Sequence, residues 1–83
     1  MRRYYFDIRD EDGLAVDEEG LELRDIQAVQ EEAARSLADI ARDEVRSANG
    51  RKQERQMTIE VRDDDGPVLQ VKFTFKIDRK KRA

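Results

Sequence analysis

Carboxylates are the most abundant chemically capable groups in this chain, and they gather in two short segments. Of the 83 residues, 20 are Asp or Glu. Residues 10–13 and 63–66 read Asp-Glu-Asp-Gly and Asp-Asp-Asp-Gly, a composition that calcium-binding loops share. With either glycine at the sixth loop position, however, the first ligand would fall on Ile8 or Val61, which are apolar. We therefore expect solvated hairpin turns here, with no metal site and no cofactor.

The sequence contains few residues that could act as a catalytic nucleophile or activate one. The sequence contains no Cys and no His, so it has neither a thiolate nor an imidazole base. Its two serines, Ser36 and Ser47, lie in a predicted helix without a histidine to activate them. A glycine-rich phosphate-binding loop is also missing from the sequence. The sequence therefore predicts a protein that is not an enzyme.

Alternating apolar residues predict two β-hairpins around the acidic turns. Tyr4, Phe6 and Ile8 alternate before the first turn, and Leu14 and Val16 follow it as a short second strand. The same pattern recurs around the second turn, after a polar connection at residues 51–56. The alternating residues of this second hairpin are Met57, Ile59 and Val61, then Leu69, Val71, Phe73, Phe75 and Ile77.

A long amphipathic helix is predicted between the hairpins. Asp25 is placed to cap it, and from Ile26 onward the apolar period changes to 3.6. The helix is expected to end near Asn49–Gly50. Residues 21–23 leave room for a few extended residues before it. The expected apolar side of the helix consists of Ile26, Val29, Ala33, Leu37 and Ile40.

These elements predict an α+β fold of the order ββαββ. A four-stranded antiparallel sheet with the helix on one face buries the apolar side of both hairpins. A right-handed crossover favours the spatial order second, first, third, fourth strand. We expect residues 1–77 to form this single domain and residues 78–83 a basic tail. The predicted core consists of Tyr4, Phe6, Ile8, Leu14, Val16, Ile26, Val29, Ala33, Leu37, Ile40, Met57, Ile59, Val61, Leu69, Val71, Phe73 and Phe75.

Charge is unevenly distributed along the chain. The formal net charge is −3, yet the last four charged residues, Arg79, Lys80, Lys81 and Arg82, are all basic. The remaining domain is therefore acidic and repels phosphate backbones. The tail is either a weak, salt-sensitive contact for nucleic acid or anionic lipid, or a solubilising extension. Because the chain also lacks a membrane-spanning apolar run and cysteine, we expect a cytoplasmic protein without membrane contact.

Two surfaces of the predicted sheet are candidates for an interaction. The face away from the helix carries Tyr5, Arg9 and Arg62, and it has too few aromatic residues for an RNA-stacking platform. This face is either solvated, half of a polar dimer interface, or a binding surface. The last strand carries Lys72 and Lys76. At a sheet edge it is either defended by these lysines or paired with a second copy across a two-fold axis.

The opening Arg-Tyr-Tyr-Phe-Asp at residues 3–7 is one of several segments that carry a family resemblance. The others are the Asp-Gly at 12–13, Asp-x-Glu-Gly at 17–20, an Ala-rich central helix and Ile-Glu-Val-Arg-Asp at 59–63. Together they resemble a family of short, functionally uncharacterised bacterial proteins that begin with this motif. The resemblance implies a compact ββαββ domain in the cytoplasm and brings no activity.

A second similarity is to HicB-type antitoxin domains. It lies in residues 5–13, in Val-Asp at 16–17 and in Glu-Ala-Ala at 32–34. The Pro-Asp-Leu-Pro-Gly turn of those domains is absent, since residues 19–23 read Glu-Gly-Leu-Glu-Leu. This similarity implies a shared shape more than a shared role.

Two functional hypotheses follow from the sequence. The first is a non-enzymatic protein-interaction module that forms a homodimer or binds another, unidentified protein. The alternative is a nucleic-acid-associated regulator, acting either as a HicB-like toxin binder or as a weak nucleic-acid binder through the basic tail.

Overall fold

A computed structural model describes residues 1–46 and 54–77 of the chain. This part contains one helix and five strands, and the fold class is α+β. In chain order the elements are β1 (Arg2–Asp10), β2 (Gly13–Ala15), β3 (Leu21–Leu23), α1 (Ile26–Arg46), β4 (Glu54–Asp63) and β5 (Gly66–Lys76).

The strands form one antiparallel sheet in the order β2-β1-β4-β5. β2, β1, β4 and β5 correspond to the predicted second, first, third and fourth strands, so the observed order agrees with the prediction. It also agrees with a crossover connection through α1. The long pairings are β1 with β4, where Phe6 lies opposite Val61, and β4 with β5, where Ile59 lies opposite Val71. The central strand β4 is therefore paired on both sides, whereas β5 lies at one end of the sheet.

The prediction of four strands was wrong by one, because β3 also joins the sheet. It pairs with the first residues of β1, so that Leu21 lies opposite Tyr4. If the β2 ladder, in which Ile8 faces Ala15, simply continued, Glu19 would occupy that place. Two extra residues therefore bulge out between β2 and β3. A strand of three residues beside such a bulge has too few alternations to be recognised from its sequence period.

The hydrophobic core lies between α1 and one face of the sheet. Its fully buried side chains come from the two central strands and from one stripe of the helix. Further apolar residues pack partly buried around them, among them Phe6, Leu37, Leu69 and Phe73. The buried hydrophobic residues are Tyr4, Val29, Ala33, Met57, Ile59 and Val61.

Three residues of the predicted core are exposed. Leu14 is 41% exposed because it pairs with Arg9, whose side chain lies on the sheet face away from α1. Val16 is 55% exposed and follows the last residue of β2. Ile26 is 46% exposed as the first residue of the helix. The small second strand therefore adds less to the core than its apolar sequence suggested.

The start of α1 matches the sequence prediction. The carboxylate of Asp25 accepts a hydrogen bond of 2.9 Å from the amide of Ala28, and the carbonyl of Asp25 accepts one from Val29. This is the N-cap arrangement, in which a side chain satisfies an amide that has no partner inside the helix. The predicted end at Asn49–Gly50 and the basic tail lie outside the described residues. Among those described, no helix combines the length and apolar character that crossing a bilayer requires.

Candidate interaction surface

The sheet face turned away from α1 is held together by diagonal ion pairs. Asp7 and Glu60 lie directly opposite each other on β1 and β4, a placement that brings like charges together. Each carboxylate is bound by an arginine on the neighbouring strand. The Nε of Arg62 donates to Asp7 over 2.8 Å, and the Nε of Arg9 donates to Glu60 over 2.7 Å. The repulsion is thereby replaced by two attractive pairs.

These two pairs differ in how far they are removed from water. Asp7 is only 6% exposed although it points away from the helix. Its carboxylate also accepts a hydrogen bond of 2.9 Å from the amide of Asp17. Both Arg9 and Glu60 keep more contact with solvent. The Asp7–Arg62 pair therefore resembles a buried ion pair, whose loss is costly, and the Arg9–Glu60 pair a surface one.

The segment between β2 and β3 covers Asp7 and Arg62. The guanidinium of Arg62 donates to the carbonyl of Asp17 over 3.1 Å and lies over the ring of Tyr5, 4.4 Å from its centroid. Gly20 approaches the same ring so closely that a Cβ there would lie 2.9 Å from it. Gly20 also has φ +71°, a left-handed conformation that glycine adopts without strain. Both the close ring and the backbone conformation therefore favour glycine at this position.

Asp17 organises this segment through its carboxylate. It accepts hydrogen bonds of 3.1 Å from the amides of Phe6, Glu19 and Gly20. Burial alone would raise the pKa of Asp17, but these three amides and the charge of Arg62 outweigh it and lower the pKa below its usual value. The carboxylate thus occupies the place beside Phe6 where a strand would otherwise pair. We call β2, residues 16–20 and β3 the interrupted edge of the sheet.

The opposite end of the sheet has a different character. β5 is eleven residues long and, in the described part of the chain, pairs only with β4. One irregularity interrupts it, since Val61 faces Leu69 but Arg62 faces Pro67, which leaves Val68 as an extra residue. From Leu69 to Lys76 the strand is regular. We call the outer side of β5 the open edge.

Side chains along the open edge are only partly covered. The row that faces α1 is half-buried throughout, and it consists of Leu69, Val71, Phe73 and Phe75. On the other face Lys72 and Lys76 are exposed, and neither makes an ion pair with a described residue. Within the part of the chain that the structure describes, the open edge therefore offers unpaired backbone, a row of accessible apolar surface and two lysines without an ion pair.

Both acidic turns are closed by their own carboxylates. Asp10 accepts a hydrogen bond of 2.8 Å from the amide of Asp12, and Asp63 accepts one of the same length from Asp65. The first carboxylate of each triplet thus holds its own turn. Arg2 also binds Asp63 over 2.9 Å. Within residues 1–46 and 54–77, no group of three or more acidic residues is arranged to hold a metal ion.

A cluster of carboxylates around Arg55, near the end of the described helix, was not predicted from the sequence. Arg55 was assigned to a polar connection, but it belongs to β4, and its side chain is only 13% exposed. It binds Asp10 over 3.0 Å and Glu44 over 3.3 Å. Glu44 lies on the apolar side of the helical period, and this was the available signal for a buried partner. The cluster joins β1, β4 and α1.

The structure separates the predicted interaction residues into two groups. Tyr5, Arg9 and Arg62 lie together on the polar face, where they are engaged with carboxylates or with one another. Lys72 and Lys76 lie on the same face in β5, where neither makes an ion pair with a described residue. Asp7, Asp17 and Gly20 complete the network and were not singled out, because the strand register that joins them is not visible in the sequence. Arg79, Lys80, Lys81 and Arg82 lie outside the described residues.

Comparison with models of known protein families places most of this chain in a family. A family model described as "Domain of unknown function (DUF6894)" matches residues 3–74, which run from β1 into β5. This agrees with the expectation of a family without an established activity. No curated protein and no solved structure matches the chain.

Proposed function

The chain belongs to this family of domains of unknown function, and we propose that it is a non-enzymatic interaction module that self-associates through the open edge. One observation carries the proposal. Among residues 1–46 and 54–77, the eleven-residue strand β5 is paired on one side only, and its helix-facing side chains stay half-buried. A second copy that adds its own β5 to this edge would complete both the backbone pairing and the apolar cover.

Backbone chemistry supports strand addition. Alternate residues of an edge strand direct their N–H and C=O groups outward, where another strand can pair with them. Between Leu69 and Lys76 this row is regular and is not broken by proline. Pro67 and the extra Val68 affect only the beginning of β5. A regular row of this length is enough for several paired residues.

Burial differs sharply between β4 and β5, which also supports the proposal. Ile59 and Val61 of β4 are 0% and 1% exposed, whereas their neighbours Val71 and Leu69 in β5 remain partly accessible. Each Å² of apolar surface covered by a partner contributes about 25 cal/mol. The apolar row at the sheet's end therefore gains from a neighbour that continues the sheet.

Lys72 and Lys76 are the features that would defend this edge. Both extend from the face opposite the apolar row, so neither covers the outward backbone groups or Val71. A lysine defends an edge when the partner strand places another positive charge beside it. Pairing registers that avoid such an encounter stay open to a second copy.

Self-association can be tested with a pair of proline variants of the full chain. Consecutive residues direct their amides to opposite sides of a strand. Of the two variants Val71→Pro and Lys72→Pro, one therefore removes an amide that points outward from the sheet. The other removes an amide that is hydrogen-bonded to β4. We expect wild type to show a mass above 9.7 kDa that falls on dilution in sedimentation equilibrium. The variant that retains wild-type circular dichroism should stay monomeric.

The matched control is Glu22→Pro, at the middle of β3 on the interrupted edge. It should leave the dimer constant unchanged if it folds. A wild-type mass that remains at the monomer value at every concentration would contradict the proposal. So would a folded proline variant in β5 that dimerises as wild type does.

A further inference from the structure

We infer that the second copy pairs antiparallel along β5, in a register centred on Val71. This inference rests on the proposed function and names its geometry. It follows from the distribution of charge along β5 and its preceding turn, from the sheet face on which the apolar row lies, and from the position of the lysines.

Charge is asymmetric along this part of the chain. The acidic triplet 63–65 immediately precedes β5, whereas Lys72 and Lys76 lie in its second half. Between Gly66 and Lys76 the strand contains no acidic residue. Antiparallel pairing places the acidic start of each strand beside the basic end of the other, and it does so twice. Parallel pairing would place like charges side by side.

The helices give a second reason for the antiparallel arrangement. A two-fold axis perpendicular to the sheet reverses the strand direction and keeps α1 of both copies on the same side. The apolar rows of the two β5 strands then lie side by side on the face that both helices cover. A two-fold axis along the strands would make the pairing parallel and would place the helices on opposite faces. The apolar row of one copy would then lie beside the polar row of the other.

Side-chain type selects the register among the antiparallel ones. Centred on Val71, the pairing places Gln70 opposite the partner's Lys72 and Leu69 opposite the partner's Phe73, both within the regular part of β5. Centred one residue further, it would place Lys72 opposite the same residue of the second copy. Opposed lysines at the centre of a sheet disfavour that register.

The ends of the pair supply a further contact in this register. Lys76 lies opposite the partner's Gly66, and so beside its acidic turn. Asp64 in that turn is exposed, and Asp65 makes only a long contact of 3.5 Å with Arg2. A register centred on Phe73 would instead place Lys76 opposite Gln70 and away from the turn. The register centred on Val71 therefore brings Lys76 of each copy beside the acidic turn of the other.

The register can be tested at Gln70, an exposed residue whose change leaves the monomer core intact. Gln70→Lys introduces a lysine opposite the partner's Lys72 at two symmetric places. We expect it to raise the dimer dissociation constant about tenfold, the effect of two unfavourable cross-strand charge pairs. Gln70→Glu should lower the constant. Thr74→Lys is the matched control, and it should change the constant less than threefold because its partner position is Val68.

A charge exchange tests the ends of the pair. Lys76→Glu and Asp64→Lys should each weaken the dimer severalfold, and the double variant should return it towards the wild-type constant at low salt. Sedimentation equilibrium measures all of these constants on the full chain. A dimer that is insensitive to Gln70→Lys but weakened by Thr74→Lys would overturn this register in favour of one centred on Phe73.

The outcomes separate this inference from the proposed function. If wild type dimerises and the proline variant does not, but the Gln70 and charge-exchange variants behave like wild type, the open edge is correct and the register is wrong. If wild type does not dimerise at all, the proposed function fails and the register fails with it.

Discussion

The two edges of this sheet differ in how their outermost strands are covered. At the interrupted edge, two strands of three residues flank a segment that is tied to the sheet by Asp7, Asp17 and Arg62. At the open edge, one strand of eleven residues ends the sheet with its backbone unpaired in the described part of the chain. The comparison shows that one side of the sheet is closed by a polar network, whereas the other keeps unpaired backbone within the described part of the chain.

At the interrupted edge the strand pairing is irregular, and side-chain hydrogen bonds hold the backbone in place instead. The side chain of Asp17 accepts the amide of Phe6 where a partner strand would otherwise do so. Gly20 brings the backbone against Tyr5. Strand addition there would have to break these contacts, whereas at the outer side of β5 it would break no strand pairing among the described residues. This difference leads us to assign association to one edge and stability to the other.

Removing Arg62 should disturb the interrupted edge most. Arg62→Leu leaves the carboxylate of Asp7 nearly buried without its guanidinium, and we expect it to lower the free energy of unfolding more than any other variant in this series. Urea denaturation at a single low protein concentration measures this loss. Arg9→Leu removes an equally short but exposed pair and should cause a much smaller loss. Equal losses in the two variants would contradict the distinction between buried and surface pairs.

Gly20→Ala should have the next largest effect. The substitution places a methyl group 2.9 Å from the ring of Tyr5 at a φ of +71°, and we expect a loss of about 2 kcal/mol in the free energy of unfolding. A double-mutant cycle with Tyr5→Ala isolates the ring contact. The cost of Gly20→Ala should shrink in that background. An unchanged cost would assign the whole effect to backbone strain.

Acid should weaken the interrupted edge more gently. The pKa of Asp17 is lowered by folding from about 3.8, so its carboxylate stabilises the fold above that pH and loses its contribution as pH falls through the lower, folded pKa. The melting temperature of wild type should therefore fall as the pH drops below about 3.8. Asp17→Asn should have a flatter profile across that range. Parallel profiles would show that Asp17 does not titrate differently in the folded state.

Much of the fold follows from local patterns, and what was missed depends on register. The alternation at Tyr4, Phe6 and Ile8 and the capping position of Asp25 are properties of neighbouring residues, so the sequence predicted β1 and the start of α1. Leu14 was misplaced because its pairing with Arg9 decides which face it occupies.

The candidate surface shows the same division. Tyr5 and Arg62 were recognised as members of one face because strand period alone assigns them there. Asp7 belongs to the same face by strand period, yet it is buried because Asp17, ten residues later, returns to cover it. Such a contact depends on the two extra residues between β2 and β3, which no period in the sequence records.

Residue-resolved NMR over a concentration series tests the central claim most directly. The account predicts that amide signals of residues 69–76 shift as the protein concentration rises, and that signals of residues 13–23 stay in place. Shifts confined to the interrupted edge, or a spectrum that does not change with concentration, would contradict the assignment of association to β5.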